Sequence, residues 1–376
     1  MKSAMRSILA VAIVAGIPSI GVRAAEVKIP IVVPITGYLS VEGGSQRNGA
    51  VMALSNPPAG VTVTYEVVDT GTSATGAANA LERALSAGDA IAVAASVFGT
   101  ELLAMMPIAL DHKVPLITIS GTAKITEMGN PYILRFFPSD AVVKVAHARY
   151  AVEELGKKRP AVIYDTTAYG QSGHDHLLEN FKKLGVTPVF DEVVSLDVKD
   201  MLPVLNRVKQ ANADVLILHM IAQPMALIIK QAKAMGLNLP VVAGSSMIEP
   251  TAAELLEPAE LKDVCGETGS SPASGGAPEM EKWAADYRTA FNTDPDGLAL
   301  AQYDGLMMVL EAVAKGAKTP EDVRAALSST TYKGIAMTYK SNGRGDMAHS
   351  AVIACYDGTT RTPTIAKRYE NITGVL

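Results

Sequence analysis

From residue 26 onward, the hydrophobic and polar positions of the chain switch repeatedly between two periodicities. Short apolar runs predict buried strands, and apolar residues at helical spacing predict helices between them. In the first part of the chain, strands are predicted at 26–34, 61–69, 90–96 and 114–120, with helices at 43–54, 73–88 and 101–112. Strands that are apolar throughout and joined by helices are typical of a parallel sheet covered on both faces.

The same order of elements then begins again. Helices are predicted near 139–156, 170–185, 200–210 and 224–236, alternating with strands near 159–165, 186–195, 213–220 and 239–246. Past residue 270 the pattern changes to a Gly- and Ser-rich loop, three helices and two further strand signals, at 335–340 and 349–358. The sequence therefore predicts an α/β fold with two units in tandem, each near the size of one ordinary domain.

Composition and charge narrow the class of protein. The chain has 376 residues, of which 48% are hydrophobic, and its formal net charge is −5. This length is enough for two domains with separate cores. Because the balance is acidic and no basic stripe stands out, we expect no nucleic-acid partner.

The N-terminus has the pattern of a targeting segment. Lys2 and Arg6 precede an apolar run over residues 8–22, which Pro18 interrupts. This run is shorter than the ~20 residues that span a membrane. We predict a secretory signal peptide over residues 1–24, cleaved near Ala24, with an uncleaved anchor helix as the alternative.

Cysteine and histidine positions give little sign of a metal site. Cys265 and Cys355 lie in separate predicted strands, so both a disulfide and two free thiols remain open in an exported protein. His174 and His176 are two residues apart on a predicted helix, where they point to different faces. We therefore expect no metal and no cofactor.

Candidate binding residues follow from the topology. In open α/β sheets, ligands bind beyond the carboxyl ends of the strands. Here those ends are rich in Gly, Ser and Thr, with no Gly-x-Ser-x-Gly elbow and no phosphate-binding glycine loop. The sequence therefore predicts neither a serine hydrolase nor a nucleotide-binding enzyme.

Two neighbouring segments suggest an anion site instead. Residues 96–101 precede a predicted helix, whose free backbone N–H groups attract a negative charge. Ser120 and Thr122 end the next strand on either side of Gly121. Together they predict a hydroxyl-lined pocket for a carboxylate, and simple helix capping is the alternative.

Several longer segments resemble the type I periplasmic binding proteins, specifically the leucine/isoleucine/valine-binding group that feeds ABC importers. The resemblance covers nearly the whole chain after the predicted signal peptide, and the order and spacing of the segments carry it. They are "PITGYLSVEGGSQRNGA", "GTELLAMMPIALDHKVPLIT", "YILRFFPSD", "YDTTAYGQSG", "IIKQAKAMGL" and "AQYDGLMMVLEAVAKGAKTPEDVRAAL".

The resemblance implies two Rossmann-like lobes joined by three crossings, with a ligand in the cleft and a hinge motion that closes it. It places residues 25–137 plus 266–331 in lobe 1 and residues 138–265 plus 332–376 in lobe 2. It further implies a periplasmic protein without catalysis, a small organic acid or amino acid as ligand, an inner-membrane ABC permease as partner, and a monomer. A ligand-sensing receptor domain without transport is the alternative function.

The resemblance also implies roles for individual residues. Ser120 and Thr122, with Gly121 between them, fall where the family holds the carboxylate and amine of its ligand. Gly99 and Thr100 fall near the family's anion-binding serine at a helix start. Tyr169 matches the tyrosine of the second lobe that covers the ligand; these are all expectations from the matched segments.

This sequence departs from the family's pattern on the other side of the cleft. The first-loop aromatic falls near Glu42, the second-lobe aromatic near Ala222 or Gln223, and the carboxylate that clamps the amino group near Ser246. A buried ammonium needs a charged or multiply hydrogen-bonded partner. Either Glu42 compensates for the missing carboxylate, or the ligand lacks an amine, as an aromatic or branched aliphatic acid does.

Overall fold

The structure, a computed structural model, describes residues 25–372, so the predicted signal peptide lies outside it. Two lobes are built from sixteen strands and twelve α-helices within these residues. The strands are β1 Ala25–Lys28, β2 Ile31–Val33, β3 Val61–Thr64, β4 Val67–Asp69, β5 Val93–Ala95, β6 Leu116–Thr118, β7 Ile133–Arg135, β8 Pro160–Asp165, β9 Phe190–Val194, β10 Val215–His219, β11 Val241–Ala243, β12 Val264–Thr268, β13 Tyr332–Lys333, β14 Thr338–Tyr339, β15 Ala351–Cys355 and β16 Thr364–Tyr369.

The helices alternate with these strands, as the sequence predicted. They are α1 Ser40–Leu54, α2 Ala74–Leu85, α3 Gly99–His112, α4 Lys124–Glu127, α5 Asp140–Arg149, α6 Ala168–Lys183, α7 Leu202–Gln210, α8 Ala222–Ala234, α9 Pro250–Ala253, α10 Pro278–Phe291, α11 Gly297–Ala314 and α12 Pro320–Ser329. A π-helical segment, Tyr150–Glu154, extends α5, and a 3-10 turn, Ser245–Ile248, follows β11.

The first lobe is a parallel sheet of five strands in the order β4-β2-β5-β6-β7. Its strands are apolar on both faces because both faces are covered. Ile31 and Val33 pack into one core with α1 and α11, whereas Val32 between them packs into a second core with α2 and α3. The predicted helix-covered parallel sheet is confirmed.

The second lobe is a sheet of seven strands in the order β16-β15-β12-β11-β10-β8-β9. The five strands from β9 to β12 are parallel, and β15 and β16 at one edge are antiparallel. Alternate residues of β10 again face opposite cores: Leu216 and Leu218 pack with α7 and α8, and Ile217 with α5 and α6.

The chain crosses between the lobes three times, near residues 136–139, 269–272 and 348–350. The last two positions differ from the predicted boundaries at 265 and 331. All of β12 pairs within the second sheet, so the second crossing comes after it. The hairpin β13–β14 belongs to the first lobe, because Tyr339 packs on Phe136 with ring centroids 5.2 Å apart and Met347 lies in the same core. Assigning residues 332–348 to lobe 2 was therefore wrong.

Helix α11 forms the centre of the first lobe. By length and composition it is also apolar enough to cross a membrane, but 72% of it is buried inside the protein. It packs closely on α1, where a Cβ on Gly49 would lie 2.0 Å from the carbonyl oxygen of Ala299. The backbones of the two helices therefore touch, and only glycine fits at this position.

Cys265 and Cys355 form a disulfide with an S–S distance of 2.08 Å. The two residues stand directly opposite each other on the antiparallel strands β12 and β15. The bond settles the alternatives that the sequence left open. It joins a strand that leads into the second crossing to a strand that follows the third.

Candidate functional site

The carboxyl ends of the parallel strands of both lobes border one cavity. The lining residues come from both lobes and the first crossing: Leu39, Glu42, Val97, Phe98, Ile119, Gly121, Phe137, Tyr169, Ile221, Ser245, Ser246 and Leu298. The cavity is therefore shared between the two lobes.

The walls of the cavity are mainly apolar. Leu39 and Phe98 of the first lobe pack against Ile221 of the second, and all three are buried. Ile119 and Phe137 form another apolar cluster with Leu298 of α11. The cavity is therefore suited to the hydrocarbon body of a ligand, with a few polar groups to orient it.

The nine predicted site residues divide into two groups. Four of them line the cavity: Glu42, Gly121, Tyr169 and Ser246. The other five are not part of its lining: Gly99, Thr100, Ser120, Thr122 and Gln223. Ser120 and Thr122 are buried behind the wall, and Gln223 is exposed on α8.

The strand end at 120–122 and the start of α3 are in contact, as the sequence predicted from their order in the sheet. A Cβ on Gly99 would lie 2.0 Å from Oγ1 of Thr122. The Thr122 hydroxyl is 1% exposed and has no hydrogen-bond partner in the described part of the chain. Because α3 has no side-chain cap, the free N–H groups of its first turn and this hydroxyl are unoccupied polar groups beside the cavity.

Polar contacts hold the two lobes together around the cavity. The backbone N–H of Ala168, at the start of α6, donates to Oγ1 of Thr100 at 3.3 Å. The N–H of Ala123 donates to Oγ of Ser172 at 2.9 Å. Thr100 therefore lies at the interface between the lobes rather than in the cavity lining.

Glu42 makes a third contact between the lobes. Helix α1 begins at Ser40, three residues before the predicted start, so Glu42 lies in its first turn and not in a loop. The side chain is 3% exposed, and its Oε1 accepts the N–H of Ala222, at the start of α8, at 3.3 Å. Its Oε2 has no hydrogen-bond partner among residues 25–372.

The pKa of Glu42 is raised above its ordinary value, mainly because burial penalises the charged form. The hydrogen bond from the N–H of Ala222 and the nearby hydroxyl of Ser246 oppose this shift, and the negative charge of Asp296 adds to it. The side chain of Asp296 is held in place because it accepts hydrogen bonds from the hydroxyl of Ser45 at 2.6 Å and from the N–H of Ala299 at 2.8 Å.

Glu249 is the third buried carboxyl group at this end of the cavity. It is 1% exposed, and neither of its oxygens has a partner within the described residues. Burial raises its pKa well above the ordinary value, and the charges of Glu42 and Asp296 raise it further. Glu249 is not among the predicted site residues, because strand-end spacing does not reveal which side chains become buried together.

Tyr169 stands in the first turn of α6 and forms part of the opposite wall. Its hydroxyl lies 3.2 Å from Oγ of Ser245, and its ring centroid is 4.0 Å from that of His219. The ring nitrogen Nε2 of His219 lies 3.0 Å from the carbonyl oxygen of Tyr169. Burial lowers the pKa of His219 well below its ordinary value and so favours the neutral imidazole, which packs against the ring of Tyr169.

A buried ion pair lies in the core of the same lobe. Nζ of Lys144 is 2.5 Å from Oε1 of Glu267, and Nδ1 of His147 is 2.7 Å from Oε2. The pKa of Glu267 is lowered because these two partners outweigh its burial. Among the described residues, no group of three or more potential ligands is arranged to hold a metal ion.

The apolar walls were missed in the sequence because they follow the strands without a break in composition. Val97 and Phe98 come directly after β5, and Ile119 follows β6. The rule that ligands bind at strand ends covers these positions as well. The prediction was based on the small hydroxyl residues at the strand ends, so it named the polar neighbours of these apolar residues.

Comparison with known proteins adds the evolutionary context. Residues 26–360 match a family described as periplasmic binding protein. A leucine-, isoleucine-, valine-, threonine-, and alanine-binding protein from Pseudomonas aeruginosa is 26% identical over 336 residues, which cover 85% of this chain and 87% of the relative.

Solved structures show the same fold. A leucine binding protein from Thermotoga maritima superimposes with a TM-score of 0.83 at 24% identity, covering 92% of this chain and 99% of that one. A solute binding protein of an ABC transporter from Rhodopseudomonas palustris, solved with 3,4-dihydroxybenzoic acid, also has a TM-score of 0.83, at 21% identity over 93% of this chain and 99% of that one. The two-lobed architecture is thus shared with proteins that bind quite different small molecules.

Proposed function

The chain belongs to the periplasmic binding protein family, and from that premise we propose that it is the solute-binding component of an ABC importer. After export to the periplasm, it captures a small carboxylate in the cleft between its lobes and delivers it to an inner-membrane permease. The ligand is a branched-chain or other amino acid, or an aromatic or aliphatic organic acid. The protein catalyses no reaction on it.

The observation that carries this proposal is the cavity between the lobes. Leu39, Phe98 and Ile221 give it apolar walls from both sides of the cleft. The P. aeruginosa relative binds amino acids, mostly apolar, and the R. palustris protein binds a hydroxylated benzoate. Both kinds of ligand combine a carboxylate with a compact body that such walls accommodate.

In this proposal, the ligand carboxylate is bound where α3 begins. The free N–H groups of the first turn of α3, near Gly99 and Thr100, favour a negative charge, and the Thr122 hydroxyl is a further donor without a partner. These groups lie immediately behind Gly121, which lines the cavity. Opening and closing of the two lobes then controls access to the site.

A thermal-shift screen of the purified mature protein tests the ligand class. Ligand at 100 times its dissociation constant stabilises a protein by about 2.7 kcal/mol, which is a readily measured rise in melting temperature. We expect a rise with branched-chain amino acids or with benzoates, and none with sugars as the matched control. A rise with sugars alone would refute the carboxylate site.

Transport is tested separately. Cells that carry the protein with its cognate permease should accumulate the radiolabelled ligand, and deletion of the binding protein should abolish uptake at low ligand concentration. Unchanged uptake in the deletion strain would contradict the role in import.

A further inference from the structure

We propose that Glu42 selects ligands that carry a protonated amino group in addition to their carboxylate, and that it couples this recognition to closure of the cleft. The proposal rests on the proposed function and deepens it, because it chooses between the amino and non-amino acids that the family's members bind. It follows from the position of the two oxygens of one buried carboxyl group.

The first oxygen of Glu42 bridges the two lobes. Oε1 accepts the N–H of Ala222 in the first turn of α8. The N-cap residue of α8 is Ile221, whose side chain makes no capping hydrogen bond. Glu42 therefore caps a helix of the second lobe from the first lobe. Because this bond joins the two lobes, separating them would break it, so whatever holds this carboxylate in place also favours the closed form.

The second oxygen is free to meet a ligand. Glu42 lines the cavity, is 3% exposed, and has no partner for Oε2 in the described part of the chain. A buried acceptor without a donor is unfavourable. A ligand group that donates a hydrogen bond to Oε2 removes this cost in the closed form.

The charge of the surroundings decides which kind of donor fits best. Asp296 lies close enough to raise the pKa of Glu42, and Glu249 is buried beside both. A second negative charge placed here would be repelled by the charge of Glu42, whereas a cation is attracted to it. An ammonium supplies both the positive charge and the donor, and a buried ammonium in turn requires such a partner.

Closure around a ligand without an amine has a different consequence. The Glu42 carboxylate is then buried without compensation, and it has to take up a proton. Affinity for such a ligand falls as the pH rises, whereas an ammonium lets Glu42 remain ionised. The preference for the amino ligand over its deaminated analogue should therefore grow with pH.

The experiment compares ligand pairs that differ only in the amino group: L-leucine with 4-methylpentanoate, and L-phenylalanine with 3-phenylpropanoate. Dissociation constants are measured by calorimetry at pH 6, 7 and 8 for the wild type and for Glu42→Gln. The glutamine keeps the side-chain length and an acceptor for Ala222, but it removes the charge. Glu254→Gln, which makes the same change at an exposed position of the second lobe, is the control.

We expect the wild type and the control to bind one amino ligand at least tenfold more tightly than its analogue, with a ratio that rises with pH. Glu42→Gln should reduce that ratio to near one and make it independent of pH. An undiminished ratio in Glu42→Gln, or a wild type that prefers the deaminated analogues, overturns the proposal and leaves the carboxylate-binding function standing. If no carboxylate binds at all, benzoates included, both proposals fail. The pH dependence in the wild type tests the idea even if the variant does not fold.

Discussion

Replacing Thr122 with valine should have opposite effects on stability and on binding. The Thr122 hydroxyl is buried, has no partner within residues 25–372, and lies against the start of α3. Valine has nearly the same shape but no hydroxyl. The substitution therefore removes an unsatisfied polar group and leaves the packing almost unchanged.

The expected changes in the free energies of unfolding and of ligand binding follow from the hydrogen bonds that the hydroxyl makes or lacks. A buried polar group without a partner costs about 1–3 kcal/mol, so Thr122→Val should leave the unfolding free energy of the ligand-free protein unchanged or raise it by up to that amount. A hydrogen bond to a charged group contributes about 1.5–3 kcal/mol. If Thr122 donates to the ligand carboxylate, its loss should weaken binding by roughly 10- to 150-fold.

Urea denaturation without ligand and calorimetry with ligand measure the two effects separately. Thr122→Ser keeps the hydroxyl and should retain affinity, although it loses about 1 kcal/mol of stability with the buried methyl group. Thr126→Val is the matched control, because the Thr126 hydroxyl is satisfied by Arg135 and Asp346. That variant should lose stability and keep its affinity. If Thr122→Val instead loses stability and binds normally, the hydroxyl serves the fold and not the ligand.

Three further predictions concern stability. Glu249→Gln should raise the melting temperature at pH 8 more than at pH 5. The pKa of Glu249 is raised in the folded protein, which therefore retains a proton that the unfolded chain releases as the pH rises. An equal shift of the melting temperature at both pH values would contradict the burial argument. Lys144→Met leaves Glu267 buried with His147 as its one remaining partner of the two, and it should lower the unfolding free energy in urea by about 3–5 kcal/mol. A loss under about 1 kcal/mol would show that water reaches Glu267. Reducing the Cys265–Cys355 bond, which spans 90 residues of sequence, should cost about 2–4 kcal/mol; an unchanged urea midpoint in dithiothreitol would refute this.

The fold was predictable because the strands of both sheets are recognisable in the sequence from their apolar residues. Strands such as β8 and β10 are apolar on both faces, which only a helix-covered parallel sheet accommodates. The third crossing was not predictable in the same way. The strand signal at 335–340 indicates pairing but not the lobe in which it occurs, and the lobe is decided by the packing of Tyr339 on Phe136.

The site was predictable in its location but not in its detail. The strand end at 120–122 pointed to Gly121 and the family resemblance pointed to Tyr169, and both line the cavity. The start of α1 was placed three residues too late because its N-cap, Leu39, has no capping side chain and gives no signal in the sequence. That error placed Glu42 in a loop, where its contact with a helix of the other lobe was not foreseeable.

The three carboxyl groups at this end of the cavity are not equivalent, and the difference lies in helix termini. Asp296 accepts the N–H of Ala299 at the start of α11, and Glu42 accepts that of Ala222 at the start of α8. Helix starts stabilise negative charge. Glu249 is the N-cap residue of the short helix α9, but its side chain accepts no hydrogen bond within residues 25–372, and its pKa is raised well above its ordinary value. Burial therefore disfavours the charged form of Glu249, and Glu42 is the acid beside the cavity whose charge an ammonium can use. Glu249→Gln should accordingly leave the preference for amino ligands intact, although Glu42→Gln abolishes it.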